Sequence, residues 1–188
     1  MTLLIAGLVL FLGAHTFTTM RGARAALLAR LGEGPYKGLY SLVSALGLVL
    51  IVWGFGRYRS TGYIAVWDPP SWLLPLTLVL MWISFVSLVA TYAPAGRIKG
   101  LLHHPMLVGI KAWALAHLLV NGDLGSMILF GAFLAWAVYD RIAVKRRGDA
   151  GALQSPFTSG DAIALIVGSV LYVAMFWLHP LVIGVPIM

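Results

Sequence analysis

The chain has 188 residues, of which 61% are hydrophobic and only 10% charged, against about 25% charged in an ordinary soluble domain, and its mean hydropathy is +0.94. Such a composition belongs in a lipid bilayer. There is no cysteine, which excludes disulfides, thiolate nucleophiles, iron–sulfur clusters and thioether-attached haem. The net charge of +7 comes from bases beside apolar runs, where membrane topology is set, and gives no reason to invoke nucleic acid.

A helix needs roughly 20 mostly apolar residues to cross the hydrocarbon core. In chain order, six stretches come close: Thr2–Met20, Lys37–Phe55, Trp72–Tyr92, Pro105–Val120, Leu124–Ile142 and Asp161–Leu181. The first lacks the small-residue cleavage site of a secretory signal and reads as a retained span. The fourth is short and carries Lys111. Connections follow the punctuation GEGP at 32–35, DPPS at 68–71, APAG at 93–96 and NGD at 121–123, with a polar run over 146–161. That run is too short for a domain, and no repeat is present, so residues 1–188 are expected to form a single all-α integral membrane bundle of about six helices.

Connections one, three and five hold Arg21, Arg24, Arg30, Lys37, Arg97, Lys99, Arg141, Lys145, Arg146 and Arg147, whereas the opposite side has only Arg57 and Arg59. The positive-inside rule then puts the ten bases in the cytoplasm and both termini outside, as in a multi-pass protein of the inner, cytoplasmic membrane. The six acids, Glu33, Asp68, Asp123, Asp140, Asp149 and Asp161, all fall in connections or at helix edges. With no carboxylate mid-membrane, a carboxylate proton relay, a carboxylate-bridged di-iron site and an HExxH protease are excluded, and any metal must rest on His.

The intramembrane histidines are therefore the residues to weigh. His15 lies in FLGAHTFTTMRGAR, where a hydrogen bond to a neighbouring helix accounts for it as readily as a ligand role does. In the fourth span, His103, Met106, Ile110, Trp113, His117 and Asn121 fall within one arc, while His104 and Lys111 lie together more than 90° round the helix. An imidazole on an apolar, aromatic-rich stripe suits a haem ligand and equally a packed core histidine. His179, beside Trp177 and Pro180, reads as interfacial. In the second span Lys37, Tyr40, Ser41 and Ser44 make a polar stripe that is expected to face inward. With Arg21 and Arg24 at the same end, these residues are candidates to hold an anionic group such as haem propionates, or to bond helix to helix. Five histidines without cysteine leave two-His coordination as the available metal site, with haem b its commonest form.

At these residues the sequence resembles the NnrU family, whose best understood relatives are the 15-cis-ζ-carotene isomerases of plants and cyanobacteria. The resemblance runs from GLVLFLGAHTFTTMRGAR through PYKGLYSLVSALGLVLIVWGF and HPMLVGIKAWALAHLLVNGDLGSMILFGAFLAWAV to DRIAVKRR. It implies an integral membrane protein that binds haem b and, in the isomerase branch, isomerises the central cis double bond of a polyene with activity tied to reduced iron. The ligands it implies are His15 and His117. Lys37, Lys111, Arg21 or Arg24 would hold propionates, and Asn121 would orient His117. The bacterial branch is associated with denitrification, so a non-catalytic electron-transfer or nitric-oxide-responsive role, with a redox partner in place of a polyene, is the alternative. Ala114 stands where the plant enzymes carry a cysteine proposed as an alternative ligand, so exchange through that thiolate cannot operate here.

Depth arithmetic adds a condition. Measured from span centres, His15 and His117 differ by roughly 13 Å along the membrane normal at 1.5 Å per residue, and His15 and His104 by only about 6 Å. Either the fourth helix is shifted inward with a buried NGD turn, or His104 is the reserve ligand.

Overall fold

In a bilayer every backbone N–H and C=O must be bonded within its own segment, so long apolar runs become helices. The computed structural model describes residues 1–185 and 187. Among them are eight helices: α1 (Thr2–Phe17), α2 (Arg21–Leu31), α3 (Glu33–Thr61), α4 (Leu73–Tyr92), α5 (Arg97–Leu102), α6 (Pro105–Val120), α7 (Leu124–Arg146) and α8 (Ser159–Ile183). All six expected spans are helical. Helices α3, α4, α7 and α8 are each long and apolar enough to cross a membrane, and α1 with α2 makes a fifth only if a pair bent by 90° counts as one span. At 16 residues, α6 is about 24 Å long, short of the roughly 30 Å hydrocarbon core.

The expected first span, Thr2–Met20, is cut short at Phe17. Thr18 donates its hydroxyl to the carbonyl of His15 and Thr19 to that of Thr16, both at 2.7 Å. These bonds satisfy carbonyls that the helix would otherwise leave unpaired, and the chain turns into α2. Between α2 and α3, Gly32 takes φ +80, a conformation open to glycine at little cost.

By its contacts the chain divides into two compact units, Met1–Pro69 with Asn121–Ala143, and Pro70–Val120 with Val144–Met188. In the first, α1 packs on α3 through small residues. A Cβ on Gly7 would stand 2.6 Å from the Ile51 nitrogen, one on Gly47 2.7 Å from that of Phe11, and one on Gly54 against the backbone of Leu4. Close helix contact through small residues is how apolar helices gain packing where water gives no hydrophobic drive. The NGD turn closes the end of this unit. Gly122 and Asp123 are buried, the Gly122 carbonyl accepts from Val66 and Trp67, and Leu124 N–H donates to Ile64. Asp123 caps α7 by accepting from Ser126 N–H at 2.9 Å, and Tyr58, 1% exposed, lies against Gly125.

In the second unit α4 is central. Ser84 donates to the Gly109 carbonyl and Thr77 to that of Ala116, tying α4 to α6. Trp82 donates to Ser169, and Gly168 meets the backbone of Val86, tying α4 to α8. Asp161, 1% exposed, is shared between two helix ends. Its carboxylate accepts from Arg97 and Ile98 at the start of α5 and from Thr158 at the start of α8, at 2.9, 2.6 and 2.8 Å.

Candidate functional site

His15 stands near the end of α1 with its Nδ1 2.7 Å from the carbonyl of Phe11, one turn back. A carbonyl can only accept, so Nδ1 carries the proton and the lone pair is on Nε2. Around the imidazole lie Phe11, stacked at 4.2 Å, Tyr40 of α3 at 5.5 Å, and Trp136 of α7, edge-on at 5.7 Å. Phe133 adds a ring 5.8 Å from Phe11. Within this unit three buried polar atoms have no hydrogen-bond partner among the described residues: Tyr36 OH, Ser44 Oγ and Trp136 Nε1. Buried polar groups are normally paired, so this clustering singles out the neighbourhood of His15 and of the Tyr36–Tyr40–Ser44 turns of α3.

His117, on α6 in the other unit, repeats the local arrangement. Its Nδ1 lies 2.9 Å from the Trp113 carbonyl, again one turn back, and the two rings are 5.4 Å apart. The lone pair is again on Nε2. Helix α6 is held against α4 at Gly109 and Ala116, and Ala112, Ala114 and Ala116 are buried, so the small side chains of α6 go into helix packing while His117 and Lys111 stay half-buried.

The remaining candidates have other surroundings. His103 does not share the α6 face, because α6 begins at Pro105 and His103 occupies a turn with φ 58 and ψ −51. His104 N–H bonds back to Leu102 there at 2.6 Å, a γ-turn of the strained positive-φ kind. The turn is held by the 149–152 segment: Ala152 N–H donates to the His103 carbonyl, His103 Nδ1 lies 3.2 Å from the Ala152 carbonyl and His104 Nε2 3.3 Å from that of Asp149. The reserve imidazole of His104 is thus engaged with a loop. The inward stripe on α3 is only partly inward. Lys37 and Ser41 are exposed, Tyr40 and Ser44 half-buried, and Lys37 pairs with Glu33 at 2.6 Å. The buried line of α3 is Tyr36, Gly47, Ile51, Gly54 and Tyr58. Arg21 and Arg24 are exposed on α2, with the Arg24 guanidinium over the Tyr36 ring. Asn121 is half-buried in the NGD turn. His179 Nδ1 meets the Val185 carbonyl at 2.6 Å.

Trp136 and Phe133 are absent from the sequence-level candidates. Aromatic residues in an apolar helix are unremarkable by pattern, and only their i, i+3 spacing within AFLAWAV hinted at a common face. Among the described residues no three of His, Cys, Asp and Glu come together as a multi-ligand metal centre would require.

Long apolar helices packed through close glycine contacts define an all-α protein of the multi-pass membrane class. More particularly, the family model described as NnrU protein matches residues 3–187, and the chain belongs to the NnrU family. The comparisons with curated proteins and with solved structures found no match.

Proposed function

We propose that this NnrU-family protein is an inner-membrane haem b protein that uses His15 and His117 as iron ligands and isomerises a cis double bond of a lipophilic polyene, as the 15-cis-ζ-carotene isomerases do. The observation that carries this reading is the shared geometry of the two imidazoles. Each gives its Nδ1 proton to the carbonyl four residues earlier, which fixes the tautomer, orients the ring and makes Nε2 more basic, as metal-bound histidines require. The surroundings fit the group. Phe11, Tyr40, Phe133 and Trp136 offer apolar faces to a porphyrin, and the Trp136 Nε1–H donor, without a partner among the described residues, suits its acceptor groups. Of the propionate candidates, Lys37 is paired with Glu33 and Arg24 lies on Tyr36, which leaves Lys111 and Arg21.

When bound, such a group supplies an iron centre whose reduction alters the electron density on a nearby polyene and so its double-bond rotation barrier. The chain's own residues hold the imidazoles in orientation, keep water from the ring faces and offer donors at fixed positions. The absorption spectrum of protein expressed with ample haem tests the reading. A Soret band is expected, and it should be lost or shifted in His15→Ala and His117→Ala. Its absence from the wild type, or its persistence unchanged in both variants, would overturn the proposal. Incubating reduced protein with 15-cis polyenes and resolving the isomers by chromatography tests the reaction. No conversion above a haem-only control leaves the non-catalytic electron-transfer or nitric-oxide-responsive role as the better reading.

A further inference from the structure

Helix α2 has no assigned part in the site around His15. It leaves α1 at 90°, so if α1 runs across the membrane, α2 lies along its surface. Its 11 residues include Arg21, Arg24 and Arg30 and no acid. At 100° per residue, Leu27, Leu28 and Leu31 fill one arc of the helix, Arg21 and Arg30 stand at its two borders, and Gly22, Ala25, Ala26 and Ala29 occupy the opposite arc. Leu27 and Leu28 are half-buried while all three arginines are exposed. Border positions on a helix lying in the interface let arginine stems cover apolar surface while their heads reach the headgroup level.

Arg24 falls within the apolar arc, and its guanidinium covers the Tyr36 ring at 5.8 Å. Tyr36 is only 6% exposed, yet its hydroxyl has no partner among the described residues. The carboxylate that follows α2 in the chain, Glu33, is taken by Lys37. Three cations with no carboxylate partner among the described residues, beside an O–H donor equally without one, call for acceptor oxygens of negative charge from outside the chain, and at a membrane surface those are phosphates of lipid headgroups.

We propose that α2 together with Tyr36 forms a binding site for an anionic phospholipid, with Arg21 and Arg30 bracketing the headgroup layer and Arg24 and Tyr36 holding one phosphate. This assigns Arg21 and Arg24 to lipid and stands independently of the haem reading.

Native mass spectrometry and thermal unfolding of the full-length protein in detergent, with added phosphatidylglycerol or phosphatidylcholine, test it. The wild type should retain phosphatidylglycerol preferentially and unfold at higher temperature in its presence. Changing all three arginines to Gln should weaken phosphatidylglycerol binding on the order of a hundredfold, about fivefold per arginine. Tyr36→Phe, which keeps the ring, should weaken it less but measurably. Arg57→Gln with Arg59→Gln should leave it unchanged, as a control for net charge. Equal retention of the two lipids by the wild type, undiminished retention by the triple variant with wild-type helix content, or equal stabilisation by inorganic phosphate alone would each overturn the proposal. If the triple variant does not fold, Arg30→Gln alone must still show the roughly fivefold loss, or the idea fails.

Discussion

Asp161 shows how much one side chain can settle. Its buried carboxylate accepts three backbone N–H groups from the starts of α5 and α8, and Gly96 must lack a Cβ because one would meet that carboxylate. Removing it strands donors that two helix ends share. Asp161→Ala should lower stability by about 3 kcal/mol, with Asp161→Asn in between, measured by thermal or denaturant unfolding in detergent. A midpoint within experimental error of wild type would remove Asp161 from this role. His103 is the converse case, a residue whose backbone conformation, φ 58 and ψ −51, opposes its own Cβ. Both His103→Gly and His103→Ala lose the Nδ1 contact to Ala152, but Gly alone relieves the strain. His103→Gly should therefore be more stable than His103→Ala by about 1 kcal/mol. Equal midpoints would show that the 149–152 segment adapts to either turn.

At the scale of elements, the pairing of α1 with α3 positions His15. Gly7, Gly47 and Gly54 let the two backbones touch, and that approach brings Tyr40 to 5.5 Å from the imidazole. Gly47→Leu puts a side chain where the Phe11 backbone lies, and backbone yields less readily than a rotamer. The substitution should cost about 3 kcal/mol or more and, if His15 is an iron ligand, should also shift or abolish the Soret band. Gly56→Leu, on the same helix where an added Cβ meets nothing within 4 Å, should leave both unchanged. Comparable losses in the two variants would mean that α3 is sensitive to side-chain bulk in general and that the close contact has no special part. The α2 helix was not visible as an element from hydropathy, because its three arginines and four alanines carry no apolar period of spanning length. Its existence follows from the Thr18 and Thr19 hydroxyls ending α1.

For the whole molecule, the absence of cysteine makes topology directly testable. Ser60→Cys and Ala150→Cys, both at exposed positions, should react with membrane-impermeant maleimide from opposite sides, Ala150→Cys from the cytoplasm. Labelling from the same side would overturn the arrangement that the ten-to-two distribution of bases predicts. The six apolar stretches became helices close to their expected bounds because hydropathy and backbone satisfaction are local properties, written residue by residue along the chain. Bases and prolines marked the connections for the same reason. By itself, then, the sequence determined the helical class, the membrane setting, the NnrU resemblance and the two histidines worth attention.

What only the tertiary structure decided is which residues stand together. Trp136 and Tyr40 meet His15 across 121 and 25 positions of sequence respectively, Asp161 joins the start of its own α8 to the start of α5, 63 and 64 residues away, and His103 leaves the α6 face for a strained turn. Those outcomes depend on where glycines admit a neighbouring backbone and on which polar atoms find partners once helices are packed. Both are properties of pairs of distant residues, which no periodicity along a single helix records.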